Sequence, residues 1–547
     1  MDISSEEYLK HIMLPLLFVG LILSAVVGLL LAGIGLPSGP FLAISLTPLI
    51  FFTVLGLLYP VVRWERRRKD IDNNIYLFVT HMGVLVLSGM TGRTIFETAK
   101  KETGYGEITK MFGIVEEISR KWKITIPEAL RIVAKRSPSR ILADFMERMA
   151  IAMEGNEDQE VFFRNEQEAV MSDYQSLYEA SLKKLDIFEE VYMSMITVAI
   201  FLVFILNIIS LLTTVPQYLV IFISLFTFII LEVLLLVSIY TMVPPEELWL
   251  NPWKGREKRG ANAPWIFAAS ISLILGLFLG VFFLNIDNPF IIMAMSVTPL
   301  ALPALGLRRE EVLIRSREEN YAPFLRTFGA SAEARGVNML VILRNLRRHD
   351  FGPLSEHVVN LYKRLKLNIS SKEAWRLFVE ESSSSLISKF TDMFVESVSR
   401  SKNLKEITIL ISKNFNMVLS LHRRRKLAVE YLTMLIYGVT FFLVFAMVMV
   451  LKIINVMSER LEAIALPEGY VEEVQSIAIL KSTSFLATSQ QIILLLIVLV
   501  HILAAVEIIR RCSGSHPLTR VLHLTGLLWV AGITSYVVSY LLSFILQ

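Results

Sequence analysis

The sequence holds little of what catalysis needs. One cysteine, Cys512, stands in 547 residues, which excludes an intramolecular disulfide and any cysteine-built metal cluster. Its neighbours Arg510 and Arg511 fit the reducing side of a membrane, or a small residue there by chance. The eight histidines are scattered, and no His-x-x-x-His, Gly-x-Ser-x-Gly or Gly-x-x-x-x-Gly-Lys-Ser/Thr spacing occurs. The chain therefore lacks the ligands, nucleophiles and phosphate loops that the usual hydrolases and nucleotide-driven enzymes carry. No enzyme activity, catalytic residue, metal or cofactor is expected, and no nucleic-acid partner. Charge is also scarce, at 19% against 54% hydrophobic residues. That surplus of apolar surface must face lipid.

Crossing a hydrocarbon core takes about 20 nearly uncharged residues, which must be helical because nothing at that depth satisfies open peptide groups. Nine runs qualify, near residues 12 to 34, 41 to 62, 191 to 213, 218 to 242, 265 to 284, 289 to 307, 430 to 451, 490 to 509 and 521 to 546. The fifth and sixth are barely long enough. The first run lacks a basic leader and a second follows at once, so it reads as a retained span rather than a signal peptide.

Basic residues beside spans stay in the cytoplasm. Arg63 to Lys69, Lys254 to Arg259, Arg308 to Arg317, Arg423 to Lys426 and Arg510 to Arg520 alternate with connections poor in Lys and Arg. This pattern predicts a cytoplasmic N-terminus and an external C-terminus. The clusters at Arg63 to Lys69 and Arg423 to Lys426 read as topology signals that touch anionic headgroups.

The organisation that follows is all-α. Residues 1–62 form a membrane hairpin, 63–190 a first cytoplasmic helical bundle, 191–307 four spans with a cytoplasmic loop at 243–264, 308–428 a second, basic bundle, and 429–547 three spans with a slightly acidic external loop at 452–489. Apolar residues at helical spacing, such as Ile141, Phe145, Met149 and Ala152, or Leu386, Phe390, Met393 and Phe394, support bundles in both polar segments.

The two segments align at a shift of about 246 residues. Asn74, Phe78 and Gly83 fall on Asn320, Phe324 and Gly329, Tyr105 and Gly106 on Phe351 and Gly352, and Ala129 on Ala374. After a one-residue gap, Ser137, Ser139, Ile141 and Phe145 meet Ser382, Ser384, Leu386 and Phe390. An ancestral duplication accounts for this order.

Two polar features lie deep in the spans. Glu232 sits in the middle of the fourth and His501 in the middle of the eighth. An acid at bilayer centre costs at least about 2.5 kcal/mol and so needs a protein-facing site. Asn207 in the third span is the expected partner of Glu232. Charge in the soluble segments is uneven: residues 308–428 hold 23 Lys and Arg against 13 Asp and Glu, whereas residues 144–190 hold 4 against 13. Such faces attract each other, lipid or an oppositely charged partner.

The stretch Leu87-Ser88-Gly89-Met90-Thr91-Gly92-Arg93-Thr94-Ile95-Phe96-Glu97-Thr98-Ala99 resembles the opening motif of the type II secretion F-domain family, the platform proteins of type IV pili, type II secretion systems and archaella. Ser137-Pro138-Ser139-Arg140, leading through Phe145 and Met149 to Gly155 and then Phe162-Phe163 and Glu166, resembles its archaeal and Tad-type branch. There a serine-proline cap starts a helix that closes at a glycine, which tolerates a left-handed end. The second copy lacks the proline, reading Ser382-Ser383-Ser384-Ser385, and has Arg400 and Ser401 near the glycine's expected position.

Two F-type domains among about nine spans resemble archaellum platforms and archaeal pilus counterparts. The resemblance implies a homodimeric membrane platform on which a hexameric secretion ATPase acts while archaellin or pilin subunits are lifted into a filament. Arg344, Arg347, Arg348, Lys363, Arg364 and Lys366 are the candidates for docking that ATPase. The alternatives are a type II or Tad-like secretion platform and, from another class, a secondary transporter, although transporters keep their repeats within the membrane.

Overall fold

The computed structural model describes residues 8–32, 38–90, 103–155, 157–212, 217–244, 246–250, 263–278, 288–335, 338–398, 403–463 and 483–545. They are helical, with no strand among them beyond an isolated bridge. The chain opens with α1 (Leu14–Ala32), α2 (Ser38–Leu87), α3 (Glu107–Trp122), α4 (Ile126–Ala134), α5 (Arg140–Glu154) and α6 (Gln159–Leu212). Next come α7 (Gln217–Met242), α8 (Ala263–Phe278), α9 (Pro289–Arg335), α10 (Met339–Leu346), α11 (Ser355–Lys366), α12 (Ser371–Ser382) and α13 (Ser385–Val398). The chain finishes with α14 (Leu404–Ala463), α15 (Thr483–Ser513) and α16 (Arg520–Ile545).

Among the described residues, five helices carry an apolar stretch long enough to cross a membrane. They lie in Glu160–Leu206, Ser224–Met242, Pro289–Ala334, Leu404–Ile453 and Arg520–Phe544, which hold the third, fourth, sixth, seventh and ninth expected spans. Shorter apolar helices at Leu9–Ile22 and Phe267–Gly276 fall on the first and fifth. The chain is thus a helical membrane protein.

Reading the sequence as separate spans and bundles misses one property. Helices α2, α6, α9 and α14 run 50, 54, 47 and 60 residues, roughly 70 to 90 Å at 1.5 Å per residue, and each joins an apolar half to a polar half without a break. The junctions explain this: 63–69, 186–191, 307–317 and 422–430 contain neither glycine nor proline and are rich in Arg, Lys, Glu and Leu, all good helix formers.

The chain divides into two compact units. The first comprises Met1–Val79 and Thr91–Val170. Its polar half buries Phe78, Phe112, Leu130, Leu142, Phe145 and Phe163. Phe78 meets Tyr105 edge-on at 5.6 Å, Phe112 at 5.0 Å and Phe145 at 6.2 Å.

The second unit comprises Thr80–Met90 and Met171–Gln547. Its polar core gathers Tyr321, Phe324, Phe328, Trp375, Phe378, Phe390 and Phe394 from three helices, α9, α12 and α13, all essentially inaccessible. The last turns of α2 belong here: Asn414 Nδ2 donates to Thr80 Oγ1 at 2.8 Å, and His81 Nε2 lies 3.0 Å from Glu396 Oε2. In the apolar half, α14 packs against α9, α15 and α16, and α7 against α15. Burying side chains such as Leu432, Ile436, Leu443, Val498, Ile502 and Leu527 ties these helices together.

The duplication extends to individual contacts inside each unit. Phe324 meets Phe351 edge-on at 5.5 Å, as Phe78 meets Tyr105. Lys123 and Asn368 both take a positive φ, 55° and 60°, and two residues later Thr125 and Ser370 cap α4 and α12, each accepting from the third amide on, Glu128 N and Glu373 N. Gly106 and Gly352 share φ +56°. The left-handed backbone is what favours glycine at both positions, and a Cβ would in addition require the side-chain ends of Asp70 and Asn320 to shift.

Candidate functional site

The repeat builds one local arrangement of side chains twice. In the first unit Ser139 Oγ donates to the buried Asp72 Oδ1 at 2.5 Å and accepts from Leu142 N at 3.3 Å. In the second, Ser384 Oγ donates to the buried Glu318 Oε1 at 2.6 Å and accepts from Ile387 N at 3.1 Å. Each serine caps the start of a short helix, α5 or α13, and locks it to a long one, α2 or α9. Burial raises both carboxyls against the pull of their serines, Glu318 to about 7.

These bonds correct the expectation for the first motif. Ser137 was to cap the helix; instead Ser139 does, and Ser137 Oγ donates to Ser139 O at 3.0 Å. Pro138 therefore precedes the cap and lies outside the first turn. Gly155 is not left-handed either, with φ −77° and ψ −1°. Its N–H donates to Ile151 O at 2.9 Å, which keeps Gly155 itself in the right-handed helical bonding. Gly89 does take the left-handed conformation, φ +82°. With Gly89 N donating to Val86 O and Met90 N to Leu85 O, it ends α2 in a Schellman motif. Gly92 lies outside the described residues.

The six basic candidates lie on α10, the turn after it and α11. Arg347 stacks on Tyr362 with its Cζ 4.8 Å from the ring centroid. Arg344 holds the Tyr362 hydroxyl below the usual tyrosine range, with Arg347 and Lys366 adding to it, so these three cations converge on one ring. Arg348 and Lys363 are exposed on the same pair of helices. Arg364 differs: its guanidinium grips both oxygens of Glu381, which neutralises it within the bundle.

Glu232 meets a partner 269 positions away. Its Oε1 lies 2.7 Å from His501 Nδ1, and His501 Nε2 lies 3.1 Å from Thr440 Oγ1. Thr440 spends its hydrogen on Ile436 O, so Nε2 is the donor to Thr440. The contact gives each of two deep polar groups a partner, which lowers the cost of so deep a position. Tyr192 stacks on the imidazole at 6.4 Å. Glu232 Oε2 and the hydroxyls of Tyr192 and Ser224 are buried with no hydrogen-bond partner among the described residues. The Asn207 side chain lies outside the described residues.

Sequence reasoning missed the junction between the polar and apolar halves of the second unit. Arg425, read as part of a headgroup-facing cluster, is 2% exposed. Its Nε donates to Cys512 O and Glu246 Oε2 at 2.9 and 3.0 Å, its Nη1 to Pro244 O at 2.8 Å and its Nη2 to Arg511 O at 3.4 Å. One guanidinium on α14 thereby caps the ends of α7 and α15. Burial holds the neighbouring His422 imidazole below the usual histidine range against the pull of Glu246.

The rest of the cluster is also engaged: Arg423 pairs with Glu319 and Arg424 with Glu179. From Glu246 the chain continues as a short clasp. Leu250 N donates to Ser383 O and Ser385 N to Leu248 O, so this segment grips the turn that holds Ser384. Trp249 Nε1 and His516 N both donate to Glu311. A polar path thus runs from Glu318 and Ser384 through residues 246–250 to Arg425 and the ends of two apolar helices. A run of four basic residues gives no sign of which one turns inward.

Comparisons with known proteins agree with this architecture. Residues 78–206 and 324–451 each match the family described as type II secretion system (T2SS), protein F. The matches begin 246 residues apart and end 245 apart, the same shift and one-residue gap as the internal repeat. The chain is 30% identical to flagella accessory protein J of Methanocaldococcus jannaschii over 99% of its own length and 96% of the relative's. It is 25% identical to flagella accessory protein J of Methanococcus voltae over 91% and 89%. No solved structure matches. With near full-length identity at this level and two copies of the domain, the chain belongs to the type II secretion protein F family, in company with the flagella accessory J proteins.

Proposed function

We propose that this chain is the membrane platform of an archaellum or type IV pilus-like machine. It couples a hexameric cytoplasmic ATPase to the insertion of archaellin- or pilin-like subunits into a filament. The observation that carries the reading is the near full-length likeness to flagella accessory protein J, with the protein F domain present twice.

On this reading the chain spans the cytoplasmic membrane nine times, with its N-terminus inside and its C-terminus outside. It works as a homodimer, and both helical bundles face the ATPase. It does no chemistry of its own: the energy enters from the ATPase. The basic second bundle is the docking face, with Arg344, Arg347 and Lys366 grouped about Tyr362, Arg348 and Lys363 exposed beside them in the sequence, and Arg364 serving the bundle's interior. Four long helices and the Arg425 junction support the transmission step, since they join the polar and apolar halves without a flexible linker.

Pull-down of the ATPase with the full-length platform tests this. Reversing Arg344, Arg347 and Arg348 together to Glu is expected to weaken binding at low salt and to flatten its decline as salt rises. Unchanged capture across a salt series overturns the docking face, and failure of the unaltered chain to bind any such ATPase overturns the platform reading.

A further inference from the structure

A groove of about 920 Å³ opens on the second unit between α6 and α14. From α6 it takes Asp186, Glu189, Glu190, Met193, Thr197 and Val198, at spacings that follow one helix face. From α14 it takes Ala428, Tyr431 and Leu435, again one face. Residues 186 to 198 span about 18 Å of helix, so the walls suit an elongated occupant.

Chemistry along the groove is polarised. Three carboxylates occupy one end, just before the apolar stretch of α6 begins, and among the described residues no basic one lines it. Beyond them the walls are Met193, Val198, Tyr431 and Leu435, of which Met193 is 40%, Val198 60% and Tyr431 61% exposed. Glu189 is the telling residue. It is 6% exposed, yet its Oε1 has no hydrogen-bond partner among the described residues. A buried acceptor left open costs about 1 to 3 kcal/mol, so a donor arriving in the groove would be held there.

We propose that the groove seats a transmembrane helix of a partner protein bearing lysine or arginine at its cytoplasmic end. The proposal rests on the platform reading for which end is cytoplasmic, and under it the occupant is the incoming filament subunit. The three carboxylates repel an anionic lipid headgroup. A single-span helix entering from the cytoplasmic side carries its positive charge at that end, and its apolar body matches the lower walls.

The test uses the full-length protein in phosphatidylcholine nanodiscs, with photoreactive benzoylphenylalanine in place of Val198. The probes are two synthetic peptides sharing one leucine-alanine core of about 20 residues, one ending in lysines and the other in glutamates. The lysine peptide is expected to crosslink at least about tenfold more, the least that one charge-assisted bond gives. Glu189→Gln should remove most of that preference, and Asp186→Asn, at an exposed position, should reduce it.

Equal labelling of both peptides, or labelling confined to lipid or to a second copy of the chain, overturns the proposal. A protein that still captures the ATPase but shows no charge preference loses the groove and keeps the platform reading. One that shows the preference without binding an ATPase does the reverse.

Discussion

Substituting Ser384 with alanine removes two bonds at once. The first turn of α13 loses its cap from Ile387 N, which costs about 1 kcal/mol. Glu318 Oε1 loses its buried donor, adding about 1 to 3 kcal/mol. Together about 2 to 4 kcal/mol of local stability goes, and amide exchange over α13 should accelerate by roughly 30- to 1,000-fold at about 1.4 kcal/mol per decade. Acidity decides when the effect is largest. Burial pushes Glu318 from its ordinary value of 4.5 up to about 7, so the folded bundle holds a proton that the unfolded chain releases. Stability therefore falls as pH rises between those values and is flat above about 7, a loss on the order of 3 kcal/mol. Because Ser384 pulls the carboxyl down, Ser384→Ala moves it higher and extends the falling window upward. The assay is hydrogen–deuterium exchange of the full-length protein in nanodiscs, below and above neutrality and corrected for intrinsic rates, reading residues 385–398. Exchange within threefold of the unaltered protein under both conditions refutes the reasoning. So does an equal effect from Ser383→Ala, whose hydroxyl makes only a long 3.5 Å bond to Glu380 O.

The repeat predicts that Ser139→Ala does to α5 what Ser384→Ala does to α13, read by exchange over residues 140–154; a change tenfold smaller would mean the two devices are not equivalent. Gly352→Ala should cost about 1 to 2 kcal/mol from its positive φ alone, seen as faster exchange in α11. Arg425→Met leaves Glu246 buried without its cation and should destabilise the junction by about 3 to 5 kcal/mol, lowering the detergent melting temperature, whereas Lys426→Met, at an exposed position, should change it little.

Much of the architecture was legible because membranes and duplication both write long patterns. Apolar runs give spans, and a shift of 246 residues gives two related bundles whose matched pairs, such as Phe78 with Tyr105 and Phe324 with Phe351, make the same ring contact. Site chemistry was less legible, for physical reasons. Glu232 and His501 were each visible alone as deep polar groups, but their 2.7 Å contact depends on how α7 and α15 rotate about their axes, which uniformly apolar faces do not encode. Arg425 is chemically identical to Arg423 and Arg424, and only the packed ends of α7 and α15 set it apart. Ser137 and Ser139 flank one proline, and the cap goes to the serine directly before α5, whose Oγ is within reach of Leu142 N.

The continuity of the long helices changes what a platform must do to transmit motion. Two bundles tethered to spans by loops would dissipate a push from below, because a loop absorbs displacement at a cost that grows only with the logarithm of its length. Here α6, α9 and α14 pass from bundle to membrane as single helices, and the places that could slip are bridged. Arg425 ties α14 to the ends of α7 and α15 through four acceptors, and the strand-like clasp at 248–250 ties the same region to the turn at Ser384. On the proposed reading, a force applied at the basic face of α10 and α11 reaches α13 through the bundle core, Arg425 through the clasp, and the apolar halves of α7 and α15 through their helix ends. The acid-lined groove lies between two of the rods, α6 and α14. A small tilt between them would widen or close it, so under the two proposals the surface that seats the subunit is also the one that the transmitted motion changes.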